Sequence, residues 1–424
     1  MSSAKTSGKE IVIIGGGVIG LSVAYQCLNR GHGVTVLERG PDNRDCCSLG
    51  NAGMVVPSHF VPLAAPGMMA KGLRWMLDPA SPFYVRPRPS WDLIAWGWRF
   101  YRASTAARVR AAAPVLRDLS LRSRQLFEQL DSTDGFDFGL ARHGLLMLCK
   151  TPAMLEEEAE IVEQANELGI EATVLGLDDL AKMDPGIQMD VHGAVHFPQD
   201  CHLSPNRFVA NLQQAILDKG GEIIWDAEVT GFKTGSSGRI ESIDTKAQRY
   251  TADECVVATG AWSPVVARML PDLRLSVQAG KGYSITVESP SALPELCSIL
   301  CEAKVAVTPM GDKLRFGGTM EIAGLDQSIN RRRVEGILKA IPRYFPQFED
   351  CDFSSEPVWS GLRPCTPDGL PYIGRSRAHA NLCVAAGHGM LGLSLAPVTG
   401  ETVAAIVSDD DPGLDLRLLS PDRY

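Results

Sequence analysis

Short apolar runs alternate with amphipathic segments at the start of the chain. Ile11–Ile14 is a continuous run of branched apolar residues. It predicts a buried parallel strand, because a strand covered on both faces needs an apolar residue at every position. The next segment, VIGLSVAYQCLNRG, has apolar residues at helical spacing and ends at Gly31. A second strand, GVTVLERG, reaches Glu38, so the pattern predicts a βαβ unit.

The turn between the first strand and the helix carries G-x-G-x-x-G at Gly15, Gly17 and Gly20. Gly15 suits a tight turn, Gly17 lets the backbone approach a pyrophosphate, and Gly20 lets the helix pack closely on the sheet. The helix N-terminus adds free N–H groups and partial positive charge. Glu38 ends the second strand, where an acid accepts hydrogen bonds from a ribose diol. The motif predicts dinucleotide binding without distinguishing FAD from NAD.

Small residues follow where a simple nicotinamide dehydrogenase would continue with further βαβ units. The segment CCSLGNAGMVVPSHFVPLAAPGM suits backbone that lies against a flat ring system; its small residues are Ser48, Gly50, Asn51, Ala52 and Gly53. A later buried strand, DECVVATGAWS, ends in Ala258, Thr259 and Gly260. Small residues at that point would also let backbone approach a cofactor.

The remaining segments predict a second, different architecture. Residues 91–130 are predicted to be helical, and the aromatic stripe in WDLIAWGWRFY is interpreted as core packing rather than a membrane-facing surface. Alternation in KGYSITVESP, KVAVTPMG and KLRFGGTMEIAG predicts an antiparallel sheet. EPVWSGLRPCTPDGLPYIGRS is rich in proline and glycine and is predicted to be mostly loop. The C-terminal segment predicts a strand, a glycine turn and a closing helix.

Composition narrows the class of protein. With 41 basic and 50 acidic residues among 424, the net charge of −9 gives no electrostatic reason to expect nucleic acid. The 11 cysteines include no CxxC and no zinc-ligand spacing. The polar start MSSAKTSGKE is unlike a signal peptide, and no apolar run is long enough to span a bilayer. Free thiols, no metal and a cytoplasmic location are expected.

Several motifs occur in an order that resembles the D-amino-acid oxidase-like superfamily of flavoproteins. They are the glycine fingerprint with Glu38, GNAGM, VVATGAWS, SGLRPCTPDGLPYIGR and AAGHGMLGLSLAPVTGE. APGMMAKGLRWM, KGYSIT, RFGGTMEIAG and the final RY are similar to the bacterial D-amino-acid dehydrogenase branch. The likeness covers almost the whole chain.

The resemblance implies an α/β fold with two domains that alternate along the sequence. A Rossmann-like FAD-binding domain would comprise residues 8–60, 190–265 and 355–424. A discontinuous α+β substrate domain, built on an antiparallel sheet, would comprise residues 61–189 and 266–354. The substrate would lie between that sheet and the flavin.

The resemblance also implies non-covalent FAD and assigns residues to it. Gly15, Gly17, Val18, Ile19 and Gly20 would hold the pyrophosphate, and Glu38 the adenosine ribose; Arg39 is also assigned to the cofactor site. The backbone of Val229 would reach the adenine. The remaining contacts would come from three small-residue segments: Ser48 with Asn51, Ala52, Gly53 and Met54; Ala258, Thr259 and Gly260; and Gly389, Met390, Leu391, Gly392 and Leu393. The third segment would reach the pyrimidine edge from the start of the last helix, whose N-terminus stabilises negative charge on reduced flavin.

Two residues are implied to bind substrate. Arg363 matches the arginine that grips the substrate carboxylate, since guanidinium and carboxylate form a bidentate pair. Tyr283 stands where the family often has a tyrosine near the substrate. His388 lies in a glycine turn, and a structural role is expected for it rather than acid–base catalysis.

The sequence departs from the family pattern at three places. Ala303 precedes Lys304 where the dehydrogenase branch often has a tyrosine, so the pocket is expected to differ. Met390 stands where glycine oxidases often have an arginine. Cys365 lies four residues away from the cysteine that sarcosine oxidases attach to flavin, which favours non-covalent FAD.

The expected reaction is dehydrogenation of a small D-amino acid, with hydride passing from Cα to flavin N5. D-proline or cis-4-hydroxy-D-proline is the leading substrate, and a quinone or another respiratory carrier is the expected acceptor. A quinone acceptor would allow peripheral contact with the inner face of the membrane. Two alternatives are a glycine- or sarcosine-type amine oxidase and a non-catalytic flavin-binding sensor module. The sequence leaves the oligomeric state open.

Overall fold

Residues 8–75 and 81–424 are described by a computed structural model of the chain. Residues 1–7 lie outside the described residues. They make up most of the polar start that is predicted not to be a signal peptide. The strands in chain order are β1 (Glu10–Ile14), β2 (Gly33–Leu37), β3 (Met54–Val55), β4 (Phe83–Val85), β5 (Leu145–Cys149), β6 (Thr173–Leu175), β7 (Gly193–Phe197), β8 (Cys201–His202), β9 (Glu222–Ile224), β10 (Val229–Thr234), β11 (Ile240–Thr245), β12 (Arg249–Tyr250), β13 (Glu254–Val257), β14 (Gln278–Val287), β15 (Cys297–Leu300), β16 (Val305–Met310), β17 (Lys313–Ile322), β18 (Val358–Cys365), β19 (Tyr372–Arg375) and β20 (Leu382–Ala386).

The α-helices are α1 (Val18–Asn29), α2 (Met68–Trp75), α3 (Trp91–Ala103), α4 (Ala106–Asp131), α5 (Pro152–Glu167), α6 (Leu177–Met183), α7 (Pro205–Asp218), α8 (Ser263–Ala267), α9 (Arg331–Tyr344) and α10 (Ala396–Val407). Short 3₁₀ turns cover Gly260–Trp262, Pro346–Phe348 and Arg417–Leu419.

The predicted βαβ unit is confirmed and lies in a six-stranded sheet. Its strand order is β19–β20–β13–β1–β2–β9. β1 pairs in parallel with both β2 and β13, and only the edge strand β19 runs antiparallel to its neighbour. Strands from both ends of the chain therefore build one sheet. Its open parallel arrangement is the α/β architecture that the fingerprint predicted.

Successive residues of β1 serve two different cores. Ile11 and Ile13 pack with helices α1 and α10 on one face of the sheet. Val12 and Ile14 pack on the other face with residues from β10, β11 and α8. Because side chains alternate across a strand, burial on both faces requires an apolar residue at each position. This explains the continuous run in the sequence.

The second sheet confirms the predicted antiparallel segments and is larger than they suggested. Its order is β18–β14–β17–β16–β15–β5–β7–β6, and β4 adds to β17. The ladders are antiparallel except β15–β5 and β17–β4. Helix α9 packs Val334, Ile337 and Ile341 into the core of this sheet. The small sheets β10–β11–β12 and β3–β8 complete the fold.

The prediction that EPVWSGLRPCTPDGLPYIGRS is mostly loop was wrong. β18 is an eight-residue strand paired along β14, and β19 follows it. Proline is tolerated there because β18 is an edge strand, so the missing N–H of Pro364 costs no ladder bond on the open side. Local composition indicated a loop, whereas pairing with a distant strand decides the conformation.

Helix α3 only partly confirms the core interpretation of its aromatic residues. Trp96 and Phe100 are buried and stack at 5.2 Å. Trp91 is 85 % exposed, Trp98 61 % and Tyr101 59 %. The aromatic residues recur with helical spacing, but they lie on more than one face of the helix. Core packing therefore explains only the buried face, and the exposed aromatic residues have another cause.

Helix α4 lies within 61–189, the range assigned to the substrate domain, yet its apolar face belongs to another core. Leu116, Leu119 and Phe127 join α1 and α10 against the six-stranded sheet. Likewise β7, in the range assigned to the FAD domain, pairs with β5 and β6 in the second sheet. The division of the chain into two domains stays a prediction.

We expect Gly400→Ala to destabilise the protein. A Cβ at Gly400 would lie 2.5 Å from the Ser22 carbonyl oxygen, because α10 crosses α1 closely there. Overpacking of this kind costs about 1–3 kcal/mol. Gly97→Ala in α3 is the matched control, since its Cβ would meet nothing within 4 Å and alanine favours a helix by about 1 kcal/mol. Urea unfolding midpoints should fall for the first variant and not for the second. Equal midpoints would contradict the close crossing.

Candidate active site

A cavity of about 1360 Å³ lies between the two large sheets. Its walls include the carboxyl ends of β1, β2 and β13, where open α/β sheets bind ligands. The predicted site residues that line it are Gly15, Gly17, Val18, Ile19, Glu38, Arg39, Ser48, Asn51, Ala52, Gly53, Met54, Val229, Ala258, Thr259, Gly260, Tyr283, Arg363, Gly389, Met390, Leu391, Gly392 and Leu393. Gly20 is not among the lining residues.

The three fingerprint glycines have distinct geometries. Gly15 has φ +109°, and a Cβ there would lie 2.5 Å from the Ala258 carbonyl oxygen. A Cβ at Gly20 would lie 1.9 Å from the Gly15 carbonyl oxygen, so Gly20 sets the distance between helix and turn. A Cβ at Gly17 would approach only Ser48 Oγ, at 3.3 Å. The space over Gly17 therefore belongs to the cavity and is free for a ligand.

Glu38 organises the turn that it faces. Its Oε2 accepts a hydrogen bond from the Gly16 N–H at 2.8 Å, and its Oε1 accepts one from the Gly40 N–H at 2.9 Å. Arg44 lies 3.5 Å from Glu38 and donates to the Gly16 carbonyl oxygen. The contact of Glu38 with a ribose stays a prediction. The guanidinium of Arg44 also stacks on Trp225. Arg44 was not predicted from the sequence, because it belongs to no recognisable motif.

The loop Ser48–Met54 is held from both sides. Asn51 Oδ1 accepts from the Gly53 N–H at 2.8 Å, so this side chain shapes the loop itself. Arg315 Nη1 donates to the carbonyl oxygens of Leu49 and Asn51 at 3.0 and 2.8 Å. Burial lowers the pKa of Arg315 to about 10, which leaves it charged at neutral pH. Sequence reasoning missed Arg315, because nothing local connects β17 with this loop.

Trp359 on β18 is a second residue that the sequence analysis missed. Cβ atoms at Gly50 and Gly361 would lie 2.1 and 1.9 Å from its ring, so the indole fits between two glycines. Its Nε1 donates to Asp45 Oδ1. The ring forms part of the cavity wall. In the sequence, the spacing W-x-G could have indicated that the Trp359 ring packs over Gly361 on the same face of a strand.

The segment Gly389–Leu393 precedes the last helix rather than starting it, since α10 begins at Ala396. Nearby, His388 is 3 % exposed, and its Nε2 lies 3.0 Å from Thr399 Oγ1. Burial lowers the pKa of His388 to about 3, so the ring is neutral. The expected structural role agrees with this geometry, because the ring is bonded within the fold.

Arg363 lies across β14 at the cavity. A Cβ at Gly282 would be 2.1 Å from the guanidinium, so a side chain there would displace Arg363 from its present position. Its Nη1 donates to the Thr319 carbonyl oxygen at 2.7 Å. Within residues 8–75 and 81–424, Arg363 has no carboxylate partner. A half-buried cation without an anion is a ready site for a carboxylate ligand.

Thr319 has unusual backbone and side-chain surroundings. Its φ is +65°, at a register shift where β17 bulges against β14. Positive φ is rare for a β-branched residue and clusters at functional sites. The side chain is 8 % exposed, and its Oγ1 has no hydrogen-bond partner among the described residues. Thr319 thus lines the cavity beside Arg363, while its unsatisfied hydroxyl oxygen is itself buried.

The hydroxyl of Tyr283 is already used within the fold. It donates to Glu321 Oε2 at 2.9 Å and accepts from the Asn330 N–H at 3.2 Å. Burial raises the pKa of Tyr283 above its ordinary value. The ring lines the cavity, so its contact with substrate through an apolar face stays a prediction. A contact through the hydroxyl would require these bonds to rearrange.

The cysteines form no disulfides in the described chain. All eleven are free, as expected. Cys365 is 3 % exposed, and burial raises the pKa of its thiol to about 11, so it is protonated. Non-covalent attachment of FAD stays a prediction. No three His, Cys, Asp or Glu side chains come together as a metal site in the described parts of the chain.

The cavity suits a dinucleotide with a flat ring system, since glycine backbone and a helix N-terminus line one part and small residues line the next. The model of the FAD dependent oxidoreductase (DAO) family matches residues 10–406. The chain belongs to this family. It is therefore an FAD-dependent oxidoreductase, and the predicted superfamily, cofactor and fold class are confirmed.

Curated relatives match over their full length. The D-amino acid dehydrogenase of Bradyrhizobium diazoefficiens is 32 % identical over 426 aligned positions, which cover 98 % of this chain and 99 % of the relative. The D-amino acid dehydrogenase of Neisseria meningitidis is 31 % identical, again covering 98 % and 99 %. The crystal structure of glycine oxidase from Geobacillus kaustophilus superposes with a TM-score of 0.77 at 25 % identity, covering 99 % of this chain and 100 % of that one.

Among the helices of the described residues, none has both the length and the apolar character needed to cross a bilayer.

We expect Gly17→Val to lose FAD. The side chain would fill the space over the first turn of α1, while φ −75° at Gly17 suits any residue. FAD affinity should fall at least tenfold, about 1.4 kcal/mol. Gly176→Val is the matched control, because Gly176 also precedes a helix, has φ −86° and has nothing near its Cβ. Flavin content of the purified variants and titration of FAD into apoprotein measure the effect. Normal binding by Gly17→Val would contradict the placement.

Proposed function

We propose that the enzyme oxidises a small D-amino acid at Cα, with Arg363 binding the substrate carboxylate. The observation that carries this proposal is the guanidinium of Arg363, which is half-buried at the cavity and lacks an anionic partner in the described chain. Its bond to the Thr319 carbonyl oxygen fixes one edge and leaves further N–H donors for a carboxylate. The names of the full-length relatives support an amino acid of D configuration.

Within this class, we propose a compact cyclic amine such as D-proline or cis-4-hydroxy-D-proline. Ala303, where the related dehydrogenases often have a tyrosine, packs against the core of the second sheet and does not line the cavity. The support comes instead from the apolar residues Ile299 and Ala306, which do line it. The Thr319 Oγ1 has no hydrogen-bond partner among the described residues but is buried, so it would have to rotate to pair with a ring hydroxyl or the substrate nitrogen. Product would be a pyrroline carboxylate, or a 2-oxo acid and ammonia from an acyclic substrate after imine hydrolysis.

Bound FAD supplies the acceptor for the hydride that leaves Cα. The residues of the chain orient the substrate, and the fixed loop Ser48–Met54 keeps its own backbone against the cofactor site. We propose a respiratory quinone or another carrier as the final acceptor. Helix α3 supports an apolar acceptor: Trp96 and Phe100 line the cavity, while Trp91 and Trp98 are exposed on the same helix. Such a surface suits peripheral contact with the cytoplasmic side of a membrane.

A substrate scan tests the proposal. Anaerobic mixing with D-proline, cis-4-hydroxy-D-proline, D-alanine, glycine, sarcosine and the L-isomers should bleach the flavin fastest with a cyclic D-amino acid. Preference for D-alanine would exclude the cyclic substrate and keep the class. Preference for glycine or sarcosine would favour the amine-oxidase alternative, which the glycine oxidase similarity supports. Preference for an L-isomer would contradict the proposed configuration.

We expect Arg363→Ala to keep FAD and lose most of its kcat/KM. Truncating a buried charge partner costs about 2–5 kcal/mol. Arg249→Ala is the control, because Arg249 pairs with Asp244 on the exposed small sheet. Kinetics with the best substrate and flavin content measure the effect. Near-normal kcat/KM in Arg363→Ala would remove this residue from the substrate site.

We expect turnover with an artificial dye or a soluble quinone to exceed turnover with oxygen alone. The dye accepts electrons without forming peroxide, so parallel assays of dye reduction and peroxide formation separate the two routes. Fast peroxide formation without dye would make the enzyme an oxidase.

A further inference from the structure

A chain of hydrogen bonds links a buried carboxylate to the cavity. Ser58 Oγ lies 2.5 Å from Asp200 Oδ2, and the Ser58 N–H donates to Asp200 Oδ1 at 3.1 Å. His59 Nδ1 lies 2.9 Å from the same Ser58 Oγ. Asp200 is 1 % exposed, whereas His59 lines the cavity that also contains Arg363.

The fold brings these residues together across 142 positions of sequence. β3 and β8 pair antiparallel, with Met54 opposite His202 and Val55 opposite Cys201. The end of one strand therefore meets the start of the other. Ser58 and His59 follow β3, and Asp200 directly precedes β8.

The donors and acceptors of the three side chains fix the direction of each hydrogen bond between them. An ionised Asp200 only accepts, so Ser58 must give its single hydroxyl proton to Asp200. Ser58 Oγ can then only accept from His59, which places the ring proton on Nδ1. Nε2, on the opposite edge of the ring, keeps its lone pair. It forms no hydrogen bond with the backbone and side chains that the structure describes.

The charges around His59 oppose a positive charge on its ring. Burial, and then the cation of Lys304 in the turn between β15 and β16, lower the pKa of His59 to about 4. His388 and Cys365 line the adjoining space and are both uncharged at neutral pH. His59 is therefore neutral at neutral pH.

Asp200, unlike His59, binds a proton more readily than the same side chain does in water. Burial raises its pKa to about 7, against the lowering effects of the Ser58 bonds and of Arg124 on α4. The thiols that face it, Cys201 on β8 and Cys297 on β15, are protonated because burial raises the pKa of each. Asp200 can therefore both release and hold a proton near neutral pH.

We propose that His59, Ser58 and Asp200 form a relay that takes the proton from the substrate's ammonium group before oxidation. The inference rests on the proposed function, since amino acids arrive with a protonated nitrogen. The ammonium N–H bond breaks and its proton goes to His59 Nε2. The Nδ1 proton passes to Ser58 Oγ, and the Ser58 hydroxyl proton passes to Asp200 Oδ2.

The step conserves charge and atoms. The ammonium becomes a neutral amine, the Asp200 carboxylate becomes a carboxylic acid, and the ring and hydroxyl are neutral before and after. The lone pair left on nitrogen is what allows Cα–H to leave as hydride. When product leaves and water enters, the proton returns from Asp200 through Ser58 and His59 to the water. His59 is the catalytic residue of this step, and Ser58 and Asp200 act through it.

The relay predicts a pH dependence. Asp200 must be ionised to receive the proton, so flavin reduction at low substrate concentration should become faster as pH rises through about 7. At a pH well above the ammonium pKa of the substrate, the free amine binds directly and the relay is no longer required. The wild-type profile should therefore have a step that relay variants lack.

Ser58→Ala breaks the chain while leaving His59 and Asp200 in place. At neutral pH, we expect anaerobic flavin reduction to slow by about 10- to 100-fold, in the range that positioned acid–base groups contribute. The difference should vanish at high pH. Ser123→Ala is the matched control, because its buried hydroxyl has no hydrogen-bond partner in the described chain. Flavin content of each variant shows that the cofactor site is intact.

Asp200→Asn provides an independent test should Ser58→Ala fail to bind FAD. It should remove the step near neutral pH and also the infrared C=O band of a protonated carboxyl that appears when substrate is added anaerobically. A pH profile and infrared spectrum identical to those of the wild type would overturn the relay alone. If no amino acid reduces the wild-type flavin at any pH, the proposed function and the relay both fail.

Discussion

One guanidinium ties the cavity-lining loop Ser48–Met54 to the second sheet. Arg315 donates to two carbonyl oxygens of that loop and to Thr286 Oγ1 on the neighbouring strand. Buried carbonyl groups need partners, and a loop that presents backbone to a cofactor has few of its own. The loop is therefore held by a side chain from β17, which connects it to the sheet that also carries Arg363.

Glycine at the contacts lets the two sheets approach each other. Gly50 and Gly361 leave room for the ring of Trp359, and Gly282 leaves room for Arg363. A single added methyl group at any of these points would overlap an aromatic ring or a guanidinium. The same physical requirement, closeness without a Cβ, explains the fingerprint at Gly15 and the segments on the other side of the cavity. The glycines that surround the cavity therefore come from segments that are far apart in the sequence.

This distribution explains which features the sequence could predict. The βαβ unit, Glu38 and the strand ending at Ala258 follow from periodicity and local glycine spacing, which act over a few residues. Arg315 and Trp359 could not be found in this way, because their partners lie in elements that are remote in sequence. β18 was predicted to be loop for the same reason, since its conformation is set by pairing with β14. The use of the Tyr283 hydroxyl by Glu321 likewise depends on strand register.

The distribution of charge around the cavity completes the argument about chemistry. A carboxylate bound at Arg363 would neutralise that cation, whereas Lys304 keeps positive charge near His59. A protonated substrate nitrogen would add a second cation to the same partly apolar space, which is electrostatically costly. Loss of that proton removes the conflict, and the buried carboxylate of Asp200, whose pKa burial raises to about 7, is a group that can take the proton up. The cations of Arg363 and Lys304 thus favour the neutral amine, while the carboxylate of Glu302, which also lines the cavity, favours the ammonium form.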